Sequence, residues 1–217
     1  MPADLIHLVR HGEVFNPTRV LYGRLPEFHL SELGRRMAQL AAESMAGRPI
    51  ARVTASPLTR TRESAQPWLD EFHLPLQIDD RLIEPSNKFE GANIRQTLRT
   101  NPLLARRLIN PWRPSWGEPF VSIAARMMAA VADAHASVDR GEVVLVSHQL
   151  PIWMVSRTVQ GKPLATDPRR RRCSLSSITT VAWDPRAGRD GAGAFAEVDY
   201  QEPAAALLAE SIDLGAV

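Results

Sequence analysis

Short apolar runs and longer amphipathic stripes alternate along most of the chain. Leu5-Ile6-His7-Leu8-Val9, Arg52-Val53-Thr54-Ala55-Ser56 and Val143-Val144-Leu145-Val146-Ser147-His148 are too short for helices. Such runs predict strands, and the nearly continuous apolar ones predict strands buried on both faces. Leu76-Gln77-Ile78 adds a short strand, and Ile178 to Trp183 and Phe195 to Tyr200 bring the total to about six. Between them lie helical patterns. Ser31 is placed to cap a helix with the stripe Leu33, Met37, Leu40, Ala41 and Met45, ended by Gly47 and Pro49. Pro57 suits the first turn of a second helix running toward Phe72, which Pro67 is expected to kink or split. Phe120 to about Val138 carries Ile123, Met127, Met128, Val131 and Ala134 on one side and is closed by Gly141. Pro151 opens a last helix, Ile152 to Val159, ended by Gly161. Strands alternating with helices predict an α/β protein: a three-layer α/β/α sandwich with a mainly parallel central sheet of about six strands.

Residues 85–119 break this order. Asn93 to Thr100 and Leu103 to Ile109 predict short helices, followed by Trp112, Pro114, Trp116 and Gly117. Long excursions in compact domains are often lids, so the segment is read as a lid or substrate-pocket insertion rather than a packed surface excursion. No Gly/Ser linker, repeat or low-complexity stretch divides residues 1–217, which are read as one domain.

Composition narrows the class further. With 217 residues, 44% of them hydrophobic, the chain can bury a sizeable core. Lys88 and Lys162 are the only lysines, so 24 of the 26 basic residues are Arg; the formal charge of +2 carries no nucleic-acid footprint. The run Arg169-Arg170-Arg171-Arg172 is either solvated surface or an aid to attracting an anionic substrate. Cys173 is the only cysteine, so no internal disulfide can form, and its Arg neighbours would lower a thiol pKa. The N-terminus has no basic-then-apolar leader, and no apolar stretch approaches the ~20 residues of a membrane span. A soluble, cytoplasmic protein is expected.

The chemistry-bearing residues sit where these elements end. In Leu8-Val9-Arg10-His11-Gly12-Glu13, an Arg and a His emerge at the carboxyl end of the first strand, where open α/β sheets place ligands. A guanidinium fork beside an imidazole suits holding and attacking a phosphoryl group, and a structural pair at a strand end is the competing reading. Ser56-Pro57-Leu58-Thr59-Arg60-Thr61 brings a second Arg after another strand, Arg81-Leu82-Ile83-Glu84 adds a carboxylate, and the Val143 strand ends on His148. His7 alternates with core residues and reads as a buried structural His; His29, His73 and His135 belong to no motif. His11 and His148 lack the further ligands at metal spacing that a metal pair needs.

These four motifs, in this order from Leu5 to about Val181, resemble the histidine phosphatase superfamily, the phosphoglycerate-mutase-like fold. The resemblance implies a metal-independent phosphomonoester hydrolase, with no cofactor and a phosphorylated small-molecule substrate, working through a phosphohistidine. His11 would be the nucleophile, its other ring nitrogen held by a backbone carbonyl, and Gly12 would let the backbone approach closely. Arg10, Arg60 and His148 would hold the phosphoryl oxygens, and Glu84, at the matching Leu-x-Glu position, would protonate the leaving alcohol. Asn16 matches a phosphate-contacting polar position, or is an ordinary Asn in an Asn-Pro turn. Glu13 is assigned to an active-site Arg and Glu90 to a structural contact in its loop.

The chain departs from the family pattern twice. Gln149 follows the second His where Gly is usual, narrowing the site or adding a substrate hydrogen bond. Pro85-Ser86-Asn87-Lys88 replaces a stretch that usually carries Gly. Two alternatives share the same residues: a phosphoglycerate mutase, whose relatives usually have a longer insertion after the acid, and a catalytically silent phospho-ligand binding module.

Overall fold

The computed structural model describes residues 2–93, 117–165, 167, 170–188 and 193–213. Six strands form one sheet in the order β3-β2-β4-β1-β5-β6: β1 Leu5–Arg10, β2 Ile50–Ala55, β3 Leu76–Ile78, β4 Glu142–Ser147, β5 Ile178–Asp184 and β6 Ala194–Gln201. β1 to β4 are mutually parallel, β5 runs antiparallel to β1, and β6 antiparallel to β5. The helices are α1 Glu32–Glu43, α2 Thr59–Phe72, α3 Phe120–Ala136 and α4 Gln149–Val159.

The alternation of strand side chains builds the three layers. Val143 and Leu145 of β4 face one core with Ile6 and Leu8, beneath Ile123, Met127 and Val131 of α3 and Ile152 and Val155 of α4. Val144 and Val146 face the other with Val9, beneath Ala41 and Met45 at α1 and Ala65 and Trp68 of α2. A strand that is apolar at every position is thus buried on both faces, as a mainly parallel sheet requires. No helix among the described residues is long and apolar enough to cross a membrane.

Several elements differ from their sequence expectations. α2 is a single helix that continues through Pro67. Proline removes only its own i→i−4 hydrogen bond, and burial of Ala65 and Trp68 on either side holds the helix to the sheet. Leu40 is 36% exposed, because the buried face of α1 is Gly34, Met37, Ala38, Ala41 and Ala42. α4 begins at Gln149, three residues earlier than Ile152, and Pro151 sits in its first turn, where a missing N–H costs no helical bond. The bulk of the expected lid, including both short helices beyond Asn93 and both tryptophans, lies outside the described residues.

The topology fixes where chemistry can occur. β1 and β4 are adjacent and in register, with Arg10 opposite Ser147, so their next residues, His11 and His148, emerge side by side. β2 flanks β4, with Ala55 opposite Val146, so Ser56 and the first turn of α2 reach the same edge. A 3-10 turn at Ala205–Glu210, which no sequence pattern announced, packs Leu207 near Met37 and Leu175 and carries residues 211–213 back over this edge.

Candidate active site

His11 and His148 meet edge to face with ring centroids 5.2 Å apart. His11 Nδ1 lies 2.8 Å from the Gly12 carbonyl oxygen. A carbonyl only accepts, so Nδ1 carries the proton and Nε2 keeps its lone pair. The loop is held on both sides: Gly12 N–H donates to Ser64 Oγ on α2, and the His11 carbonyl accepts from Ser176 N–H. Gly12 packs so closely on Gly34 of α1 that a Cβ would lie 2.2 Å from the Gly34 carbonyl oxygen. Its close approach is therefore to the fold itself, and any larger residue would push the His11 loop off α1.

His148 Nε2 lies 2.8 Å from Ser56 Oγ, and its Nδ1 faces Glu84 Oε2 at 3.6 Å. The Glu84 loop is tied to the sheet by Ser147 Oγ, which donates to the Leu82 carbonyl at 2.7 Å. Arg60 lies 4.7 Å from the centre of the Tyr22 ring and donates to the Gly23 carbonyl at 2.6 Å. Gln149 and Arg171 complete the rim, with Arg171 Nη1 3.4 Å from Gln149 Oε1.

Among the described residues, the buried side-chain atoms without a hydrogen-bond partner include Arg10 Nε, Arg60 Nε, Arg171 Nε and His148 Nδ1. Each such orphan costs about 1–3 kcal/mol, more when charged, and native interiors hold few. The unpartnered guanidinium edges of Arg10 and Arg60 beside His11 form a site shaped for an anion rich in acceptors.

The electrostatics agree with this. Burial, then the Arg60 and Arg10 charges, push the His11 pKa well below its ordinary 6.5, so the imidazole is neutral. His148 is driven down by burial, Arg60 and His11, which favours its neutral form. A bound dianion opposes that shift and favours imidazolium. Burial raises Glu84 from its ordinary 4.5, against the pull of Arg60 and Arg10, so its acid form persists to higher pH than that of a surface carboxyl. Burial also pushes the Tyr22 phenol to about 12 and keeps it protonated beneath Arg60.

Two other expectations, for Glu13 and Cys173, are corrected. Among the described residues the Glu13 carboxylate pairs with no Arg; it accepts from Ser31 Oγ at 2.5 Å and Ile212 N–H at 2.6 Å, because the cap of α1 and the C-terminal segment converge on it. The carboxylate partner of Arg10 is Asp213, with Nη2–Oδ1 at 2.6 Å and Nη1–Oδ2 at 2.8 Å. The Asn16 carboxamide closes its own loop, donating to the Val20 carbonyl at 2.8 Å and accepting from Val20 N–H at 3.2 Å, as in the turn reading. Cys173 is buried, which raises its thiol to about 11 despite the neighbouring arginines; its carbonyl, not its sulfur, serves the site by accepting from Arg10 Nη1 at 2.7 Å.

Glu90 matches its structural assignment, accepting from Arg24 and Asn87 N–H groups. His7 is likewise structural, bridging Thr180 Oγ1 at 3.0 Å and Glu142 Oε2 at 2.9 Å. Sequence reasoning singled out neither Tyr22, Ser64 nor Asp213. Arg171 was visible only as one of four consecutive arginines, of which Arg169 lies outside the described residues.

Comparison with known proteins fits this geometry. An uncharacterized protein of Mycobacterium tuberculosis is 45% identical over 208 residues, 94% of this chain and all of its own. A probable phosphoglycerate mutase of Proteus mirabilis is 29% identical over 180 residues, covering 80% of this chain and 83% of the mutase. The solved mycobacterial glucosyl-3-phosphoglycerate phosphatase matches with a TM-score of 0.69 at 30% identity, over 83% of this chain and 90% of its own. A family model described as histidine phosphatase superfamily (branch 1) matches residues 6–189. With a match of that extent spanning the strand ends that carry both histidines, this chain belongs to the histidine phosphatase superfamily.

Proposed function

We propose that the protein is a phosphomonoester hydrolase in which His11 Nε2 attacks phosphorus and water then cleaves the phosphohistidine. The observation that carries this reading is the set of buried, unpartnered donors on Arg10, Arg60 and His148 around a neutral imidazole with a free Nε2. A phosphate ester resists nucleophiles because its oxygens are negative, so catalysis is mostly positioning and charge neutralisation. Arg10 and Arg60 provide that charge in fork geometry. In the first step the Nε2–P bond forms while the ester P–O bond breaks, and Glu84 delivers its proton to the departing oxygen. In the second, water attacks phosphorus, the P–N bond breaks, and the Glu84 carboxylate takes the water proton.

Here Arg10, Arg60 and His148 do the work a metal ion would otherwise do. The protein is therefore expected to release inorganic phosphate from p-nitrophenyl phosphate at a rate unchanged by exhaustive chelation, with inhibition by vanadate. Chelator-sensitive activity restored by Mg²⁺ or Zn²⁺ overturns the proposal. Incubation with 3-phosphoglycerate and a bisphosphate primer separates the readings: isomerised product marks a mutase, and free phosphate marks a hydrolase.

Arg171 sharpens the substrate class. Burial pulls its pKa down to about 10, its Nε is orphaned, and it stands beside Gln149 at the rim. A substrate with a second anionic group, such as a phosphoglycerate-type molecule, satisfies it. Arg171→Gln is expected to reduce kcat/KM for such a substrate ~10-fold or more beyond any loss on p-nitrophenyl phosphate, as charge-assisted hydrogen bonds are the strong ones. Equal losses on both would mean that Arg171 acts through Glu84 instead.

A further inference from the structure

We propose that Asp213, near the C-terminus, is a positioning residue for phosphoryl binding: it clamps Arg10 end-on and turns the Nε edge of the guanidinium toward the phosphoryl site. The inference rests on the hydrolase reading above and adds a residue that the family motifs do not include.

The donors of Arg10 can be followed one by one. A guanidinium has five N–H bonds in one plane. Nη1 uses both of its own, on the Cys173 carbonyl at 2.7 Å and Asp213 Oδ2 at 2.8 Å. Nη2 uses one, on Asp213 Oδ1 at 2.6 Å. What remains is Nε–H, buried and unpartnered, and the second Nη2–H, which planarity places on the same edge. These two parallel donors match two oxygens of a phosphoryl group. A carboxylate standing in for substrate would be expected to take that open edge. Asp213 takes the adjoining Nη1/Nη2 end and leaves the buried Nε/Nη2 fork free.

Charge supplies the second argument. The Arg10 side chain is 0% exposed, and Arg60 shares its cluster. Burial alone would lower the Arg10 pKa, and the Asp213 ion pair holds it above its usual range. The ion pair thus keeps the guanidinium fully charged and fixed. Such preorganised donors cost no reorganisation when charge develops in the transition state. The segment that delivers the carboxylate is anchored as well: Ile212 N–H donates to Glu13 Oε1 at 2.6 Å, and Leu207 packs near Met37. That assigns a task to Glu13, which holds the strap instead of an Arg.

The test is Asp213→Asn, which preserves shape and removes charge, with Asp213→Glu as the conservative variant, measured on p-nitrophenyl phosphate and by orthovanadate inhibition. Asp213→Asn is expected to lower kcat/KM ~10-fold and to weaken vanadate by a similar factor, with Asp213→Glu recovering part of both and the melting temperature nearly unmoved. In an Arg10→Lys background, which has no fork to clamp, Asp213→Asn should add little further loss. A chain ending at Ser211 removes the carboxylate by another route and should match Asp213→Asn.

Faster turnover and tighter vanadate in Asp213→Asn would show that the carboxylate competes with phosphate, and would overturn the proposal. So would equal losses in the wild-type and Arg10→Lys backgrounds. Vanadate binding measured calorimetrically on His11→Ala reads the clamp without turnover, so failure of the phosphohistidine reading and failure of the clamp are separate results.

Discussion

His11→Ala is expected to abolish turnover, with kcat/KM falling by at least on the order of 10⁴-fold, the scale seen when a nucleophile acting in concert with its partners is removed. The expectation follows from the tautomer. Nδ1–H is committed to the Gly12 carbonyl, which points the Nε2 lone pair into the site, and burial beside two arginines keeps that nitrogen unprotonated. Brief reaction with a phosphorus-labelled ester should leave acid-labile, base-stable label on the wild-type protein and none on His11→Ala. His11→Asn, which retains a polar side chain in the same loop, should behave alike if folding is intact. Label that survives either change, or that proves acid-stable, removes His11 from the role. The same electrostatics set the acid limb of the pH profile. Protonating His11 blocks attack, and its pKa is lowered, so activity should persist below pH 6.5, where a free imidazole would already be charged.

Arg10, His11, Arg60 and His148, legible in the sequence, share one property: each lies at the end of a strand or in the first turn of a helix that the hydrophobic pattern itself announces. Arg10, His11 and His148 follow apolar runs whose burial on both faces is written in consecutive Val, Leu and Ile, and parallel β1 and β4 then carry them to one edge. Arg60 and Glu84 follow from short motifs near such ends. What escaped depends on contacts with no local signature. Asp213 meets Arg10 across 203 positions of sequence, through a 3-10 turn of weak periodicity. Tyr22 sits in a polar loop, and only the fold places its ring beneath Arg60. Gly12 looked like a residue making room for a ligand because its neighbour across the loop, Gly34, belongs to a helix that nothing local connects to it. Cys173 misled for a related reason. Four adjacent arginines imply a depressed thiol pKa only if the sulfur shares their solvent, and its burial reverses the sign.

Removing the Glu84 carboxyl separates substrates by leaving group. An alkyl alkoxide departs poorly and needs a proton in the transition state, whereas nitrophenolate leaves without one. Glu84 is buried, faces His148 Nδ1 at 3.6 Å, and has a raised pKa, so it holds its proton where a surface carboxyl would have lost it. General acid catalysis is typically worth ~10²–10⁴-fold, or about 3–5 kcal/mol. Glu84→Gln, which preserves size, is therefore expected to lower kcat/KM for an alkyl phosphate by about that factor and for p-nitrophenyl phosphate by much less. The comparison uses kcat/KM because it reports steps through phosphorylation and so excludes the later hydrolysis, for which Glu84 is the proposed base. The pH profile offers an independent reading. The working form of Glu84 is the protonated one, so wild-type kcat/KM on the alkyl substrate should fall as pH rises through its raised pKa. Glu84→Gln should lack that limb while keeping the acid limb set by His11. Equal losses on the two substrates, or an unchanged alkaline limb in Glu84→Gln, would mean that Glu84 only positions another group.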